Sequence, residues 1–255
     1  MNPFSFIGSF VISVLNIFGG LSIMLWKTAQ WTVRPPYRIR LIFEQIVYIG
    51  INSIPVVMMS GLFTGMVFGY QSYFGFHKFG VEHMTGMVVA LAMTRELGPV
   101  LSSIMVTARS GSAMTAELGT MSVTEQIDAL YALAVEPLQY LVVPRVVASL
   151  IVMPVLNLVS VICGIAGGYF VVVKLLGVNS TLFMENIFLY IDMSDFMNGS
   201  IKALVFGLIL SVVGCYKGFY ANGGALGVGQ ATTQSVVLSC VLILVFDYII
   251  TALLF

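Results

Sequence analysis

The sequence predicts an all-helical integral membrane protein, and three features carry that prediction. Apolar residues fill 59% of its 255 positions and charged residues only 9%, against about a quarter charged in a soluble domain. The mean hydropathy is +1.02. The apolar residues gather into stretches of bilayer length, and a helix needs about 20 of them to cross a hydrocarbon core. Lipid offers no partner for unpaired backbone groups, so these stretches must be helices. A formal net charge of zero argues against a nucleic-acid partner.

The first element covers residues 1–34. Its 4–25 stretch is apolar but carries Ser5, Ser9, Ser13, Asn16 and Ser22, then runs into Trp26, Lys27, Gln30, Trp31 and Arg34. Tryptophan beside basic residues suits the headgroup zone, so an interfacial helix lying on the membrane is expected here rather than a sixth span. The stretch has neither the basic lead-in nor the small-residue cleavage site of a signal peptide. Pro35-Pro36 then breaks the helix.

Five spans follow, at 46–70, 87–108, 141–173, 198–219 and 236–255, the third long enough to tilt or to break at Pro154. Lys27, Arg34, Arg38, Arg40, Arg109, Arg145 and Lys217 fall on one side, and Lys78, Lys174 and Lys202 on the other. That excess places the N-terminus in the cytoplasm and the C-terminus on the far side. Cys163, Cys215 and Cys240 are scattered through apolar runs, with neither metal-ligand nor disulfide spacing, and read as buried small residues.

Residues 109–145 interrupt the apolar pattern between the second and third spans. Glu117, Glu125, Asp128 and Glu136 lie between Arg109 and Arg145. Residues 124–130, TEQIDAL, read as a short amphipathic helix, capped by Ser122 or Thr124 and closed before Pro137. Ile127, Leu130, Tyr131, Leu133 and Ala134 recur at helical spacing among acidic groups, the composition of a helix that docks in another protein's groove.

Four motifs in this region and beside it are long and specific: RELGPV at 95–100, ARSGSAMTAELGTM at 108–121, VTEQIDAL at 123–130 and PLQYLVVPR at 137–145. With them the chain resembles the MlaE (YrbE) permease family, from about residue 39 to the closing VFDYIITALLF. These are the membrane subunits of ABC transporters that work with MCE-domain proteins. The resemblance implies a homodimer of five-span subunits, each with an N-terminal interfacial helix, in the inner membrane of a diderm bacterium. It implies that segment 118–136 is a cytoplasmic coupling helix, with Glu117, Glu125, Gln126, Asp128 and Leu130 assigned to an ATPase subunit. A periplasmic MCE-domain protein, a STAS-domain subunit and phospholipid are the other implied partners. ATP and Mg would be bound by the ATPase, and no cofactor is expected in this chain. The sequence contains no GxxxxGK[ST] phosphate loop, which agrees with a non-catalytic subunit.

Ionisable residues inside spans are costly and mark function by default. Arg95 and Glu96 lie in the second span, just before Gly98-Pro99, while Lys202 opens the fourth and Asp247 sits midway in the fifth. Two readings compete: a cavity for a lipid headgroup, or ion pairs that fix the bundle, the latter stronger for Asp247. Gly61, Gly65 and Gly69 form a small-xxx-small ladder that allows close helix approach, with a dimer interface as one place for it. Phe63, Phe68, Tyr70, Tyr73, Phe74, Phe76 and Phe79 gather at the outward end of the first span, either as an interface belt or as pocket walls. By resemblance, Arg95, Glu96 and Lys202 lie at or near the lipid path, and Phe68, Phe76 and Phe79 line an acyl-chain pocket. Between the third and fourth spans, Glu185, Asp192 and Asp195 surround an apolar stretch at 187–191 that could form a short outer helix.

Two other classes were weighed. A secondary transporter using Glu96 and Asp247 as ion sites commonly shows an inverted repeat, and none is evident here. An intramembrane enzyme would need a base beside a nucleophile. Ser110-Gly111-Ser112 has none nearby in sequence, and His77 and His83 read as solvated loop residues.

Overall fold

A computed structural model describes residues 3–254. Met1, Asn2 and Phe255, the ends of the first element and of the last span, lie outside it, as do the side chains of Ser5, Ser9 and Ser13. Every regular element among the described residues is helical. Five helical stretches there are long and apolar enough to cross a membrane: Ile39–His77, Glu82–Val123, Leu138–Leu175, Met193–Phe219 and Gly224–Leu254.

The chain begins with α1 (Pro3–Val33), and the Pro35-Pro36 linker separates it from α2 (Ile39–Ile49). The first crossing continues as α3 (Ile54–His77). The second is built from α4 (Thr85–Ala92), α5 (Gly98–Val106) and α6 (Ser112–Val123), and α7 (Gln126–Ala132) turns away from its end. The third crossing is α8 (Val143–Tyr169). A short α9 (Ser180–Tyr190) precedes α10 (Met193–Phe219) and α11 (Gly224–Leu254). α8 packs against α3, α10, α2 and α5, and so lies at the centre of the bundle.

The second crossing holds 42 residues, which at 1.5 Å per residue is about 60 Å, roughly twice a hydrocarbon core. The apolar stretch 87–108 is therefore only its middle. The polar run after Arg109 does not leave the helix at once: α6 carries it on, packed between α10 and α11. Thr115 Oγ1 donates to the Gly111 carbonyl of its own turn and lies 3.1 Å from Gly214 O and 2.9 Å from Ser235 Oγ, so the extension is tied to both neighbours.

Four π turns punctuate the crossings, and two of them stand just before prolines. Pro99 cannot offer an N–H to the Arg95 carbonyl four residues back, and its ring crowds that carbonyl. The helix widens over Met93–Leu97 to accommodate it. The same relation holds between the turn at Leu138–Val142 and Pro144. Of the tilt or break expected of the third span, the break does not occur: α8 runs through Pro154 from Val143 to Tyr169.

The glycine ladder is used within the chain and not between chains. A Cβ on Gly61 would meet Ser160, one on Gly65 the Gly164 carbonyl, and one on Gly69 would lie 3.1 Å from Gly168 Cα. α3 and α8 thus touch backbone to backbone, which only small residues on both sides permit. The cysteine expectation holds in part. Cys215 is buried, but Cys163 and Cys240 are only half-buried, because the outer faces of α8 and α11 are themselves apolar.

A buried ion-pair network and an outward-facing helix

Lys202 lies in the third turn of α10, not at its start, because the helix begins five residues before the apolar stretch. One turn earlier, Gly199 lets α10 sit against the Thr94 carbonyl. That approach brings the Lys202 ammonium to Glu96 on the π turn and to Asp247 on α11. Lys202 Nζ donates to Glu96 Oε2 at 2.7 Å, to Asp247 Oδ1 at 3.0 Å and to Thr251 Oγ1 at 2.7 Å. The Thr251 hydroxyl in turn lies 2.7 Å from the Asp247 carbonyl and 3.2 Å from Glu96 Oε1. Three donors meet three acceptors, so the ammonium is saturated. Its side chain is fully buried, whereas 39% of the Glu96 side chain is exposed.

Arg95 points another way, as adjacent helical residues must. Its Nε donates to Asp195 Oδ1 at 2.7 Å. Asp195 is buried, and its other oxygen accepts from the Asp192 backbone N–H at 3.1 Å, one half of a capping box that starts α10. A residue placed in an outer polar loop by sequence is therefore the counter-ion of a span arginine. The Asp-x-x-Asp spacing before an apolar run was the available signal. Thr251 was also missed, although it stands four residues after Asp247 on the same helix face.

Of the expected lipid-path residues, the fold brings Glu96 and Lys202 together and turns Arg95 to a separate pair. Lys202 and Asp247 form an ion pair between α10 and α11. Phe68 is half-buried against Val89, Met93 and Val161. Phe76 is half-buried in the last turn of α3, and Phe79, at the turn beyond it, is 81% exposed. The three phenylalanines do not share one cluster among the described contacts. His77 belongs to the last helical turn, stacked on Tyr73 and 3.8 Å from Glu82, and is not a loop residue. His83 is half-buried, and its carbonyl accepts from Asn186 of α9.

At the opposite end, α7 follows a sharp bend at Glu125, whose φ is +60°. Neither expected cap is used. Thr124 bonds back to the Thr120 carbonyl, and Ser122 bonds toward the carbonyls of Phe219 and Ala221. Ile127 is buried with Leu21 and Met24 of α1, and Leu130 packs on that same cluster. Glu125, Gln126 and Asp128 face outward with Tyr131 and Leu133. Partial burial, then the charges of Glu136, Tyr220 and Asp128, push the Tyr131 hydroxyl above its usual range. Glu117 sits deeper, where its Oε2 lies 2.8 Å from Nη2 of the buried Arg145. Among the described residues no group of histidine, cysteine and carboxylate side chains could hold a metal ion.

Comparison with known proteins follows the same lines. The Permease MlaE family model matches residues 42–253. A probable ABC transporter permease protein of Rickettsia felis is 45% identical over 255 residues, covering 100% of this chain and 98% of its own length. One from Synechocystis is 40% identical over 212 residues, 83% of this chain and 81% of its own. The intermembrane phospholipid transport system permease protein MlaE of Haemophilus influenzae is 36% identical over 256 residues, with 100% and 98% coverage. A match through all five crossings, with full-length relatives at such identity, settles the kinship: the chain belongs to the MlaE permease family.

Proposed function

We propose that this protein is the permease subunit of an ABC transporter that moves phospholipid between the inner membrane and a periplasmic MCE-domain partner, driven by a separate ATPase. The observation that carries the proposal is the pairing of two features on one rigid crossing. Its middle holds Glu96, half-exposed beside a saturated lysine, and its far end presents α7, anchored by Ile127 with Glu125, Gln126 and Asp128 outward. A force on α7 passes the bend at Glu125 into α6 and from there reaches the Glu96 level through helix, because α6 and α5 join without a loop. α7 is the coupling helix in this account, and its acidic face meets basic residues of the ATPase. ATP and Mg belong to that subunit.

The phospholipid named for the Haemophilus protein suits a path with apolar walls and few charges. Each cation at the network already has a carboxylate partner, so an arriving phosphate must exchange with one of them. Arg95, whose side chain is 37% exposed, is the reachable cation. Phe68, Phe76 and Phe79 supply acyl-chain contacts. Met59, Phe63, Val67, Tyr70 and Phe74 form an exposed stripe on α3 at three- and four-residue spacing, which serves a second copy of the chain. α1 lies along the cytoplasmic interface, with the N-terminus in the cytoplasm and the C-terminus in the periplasm. A STAS-domain subunit completes the cytoplasmic assembly.

Purification from native membranes, followed by mass spectrometry of bound proteins and lipids, tests this directly. An ATPase and an MCE-domain protein should co-purify, and the ATPase should be lost on Glu125→Lys with Asp128→Lys. Absence of both partners from an intact oligomer would overturn the reading in favour of a secondary transporter.

A further inference from the structure

The crevice bounded by α1, α10 and α11 holds two neighbouring cavities of different character, whose linings share no residue. Toward the α7 end lies a polar cavity of about 320 Å³, whose lining includes Tyr216, Lys217, Tyr220, Asn222, Gln230 and Gln234. Further along the same three helices lies an apolar cavity of about 250 Å³, walled by residues such as Phe18, Leu21, Val205, Ile209 and Phe246. Ser22 is the one polar side chain on that second part, and its hydroxyl is occupied by the Phe18 carbonyl.

The charge in this crevice is one-sided. Among the described residues, Lys217 is the only charged one lining the polar part, and no carboxylate lines either part. The ammonium gives one hydrogen bond, 3.1 Å, to Gln234 Oε1, at an exposed position where exchange is cheap. The Tyr216 and Tyr220 rings stand together at the same end, 5.1 Å between centroids, with the Tyr216 hydroxyl seated against Gly20 of α1. A free anion would use only the polar part and leave the apolar part empty. A hydrocarbon would use only the apolar part and leave the polar part empty. A molecule with an anionic head and an acyl chain fits both, and basic pockets between membrane helices on the cytoplasmic side select acidic lipids.

We propose that this crevice holds a resident anionic phospholipid, its phosphate on Lys217 at the polar end and one chain between α1 and α11. The site lies apart from the Lys202 network, whose ammonium is buried and already saturated. It does not depend on what the transporter carries. Its occupant would complete the packing of α1, which otherwise leaves Leu15 and Phe18 exposed beside the crevice.

The test is quantitative lipid mass spectrometry on the intact complex, purified in mild detergent after reconstitution into nanodiscs of mixed phosphatidylglycerol and phosphatidylcholine. Wild type should retain phosphatidylglycerol over phosphatidylcholine. Lys217→Gln should lower that retention about fivefold, the effect of one lysine at an anionic surface, and Lys217→Arg should restore it. Ile209→Trp, which fills the apolar part, should also expel the lipid. Lys78→Gln, which removes an exposed cation outside the crevice, should leave retention unchanged. The proposal is overturned if both lipids are retained equally, or if Lys217→Gln and Ile209→Trp change nothing in a protein of native oligomeric size. It is overturned too if Lys78→Gln lowers retention as much as Lys217→Gln does, or if inorganic phosphate displaces the lipid. Failure of the transport reading would not touch these outcomes, since they report a lipid that stays.

Discussion

In the half of the bundle nearer α9, Lys202 and Arg95 meet carboxylates carried by other helices, Glu96, Asp247 and Asp195. At the α7 end the two arginines are held largely by neutral groups. Arg109 Nη1 lies 3.2 Å from the Tyr48 carbonyl and within 3.1 Å of the Ser53 and Ser110 hydroxyls. Arg145 Nη1 donates to the Leu141 carbonyl at 2.6 Å, and its carboxylate partner Glu117 is 49% exposed. The contrast follows from what surrounds each cation. Lys202 is fully buried, so only a counter-ion within the protein can match its charge. Around Arg109 and Arg145, backbone and hydroxyl dipoles carry part of the load, and the Glu117 carboxylate is half-exposed.

The sharpest way to break this comparison is Lys202→Met. It leaves two carboxylates without their cation and should cost about 3–5 kcal/mol, read as loss of the monodisperse species in fluorescence-detected size exclusion. Adding Glu96→Gln and Asp247→Asn should recover most of that loss. A single variant as stable as wild type would show that the network does not hold the bundle.

The α3–α8 seam joins both halves, and Gly65→Ala tests it. The new methyl meets the Gly164 backbone, which no rotamer change can relieve, so a loss of about 2–3 kcal/mol is expected. Gly75→Ala, where the space is open, should leave the melting temperature unchanged.

Arg145→Met should cost less than Lys202→Met, about 1–2 kcal/mol, because the stranded Glu117 reaches water. Equal losses for the two substitutions would erase the distinction between the ends. The smallest effect belongs to Glu125→Gly. A non-glycine residue in the left-handed region costs about 1 kcal/mol, so this variant should raise the thermal midpoint slightly while Glu125→Val lowers it.

Helix class and crossing number were legible because both follow from local composition: lipid forces each apolar stretch of bilayer length to satisfy its own backbone. Pro35-Pro36 likewise announced the end of α1. The boundaries were less legible. Apolar runs mark where lipid is, not where hydrogen bonding stops, so α6 continues past Arg109 and α10 starts at Met193, ahead of the apolar stretch.

The sequence by itself determined that Arg95, Glu96, Lys202 and Asp247 are exceptional, because a charge in an apolar run is costly wherever it points. Only the tertiary structure decided who partners whom. Asp195 joins Arg95 across 100 residues, and Lys202 takes both Glu96 and Asp247. Those choices depend on helix rotation and on the close approach at Gly199, which no periodicity encodes. The glycine ladder makes the same point: its spacing predicts a close neighbour, but the identity of that neighbour, α8 of the same chain, is a property of the packed bundle.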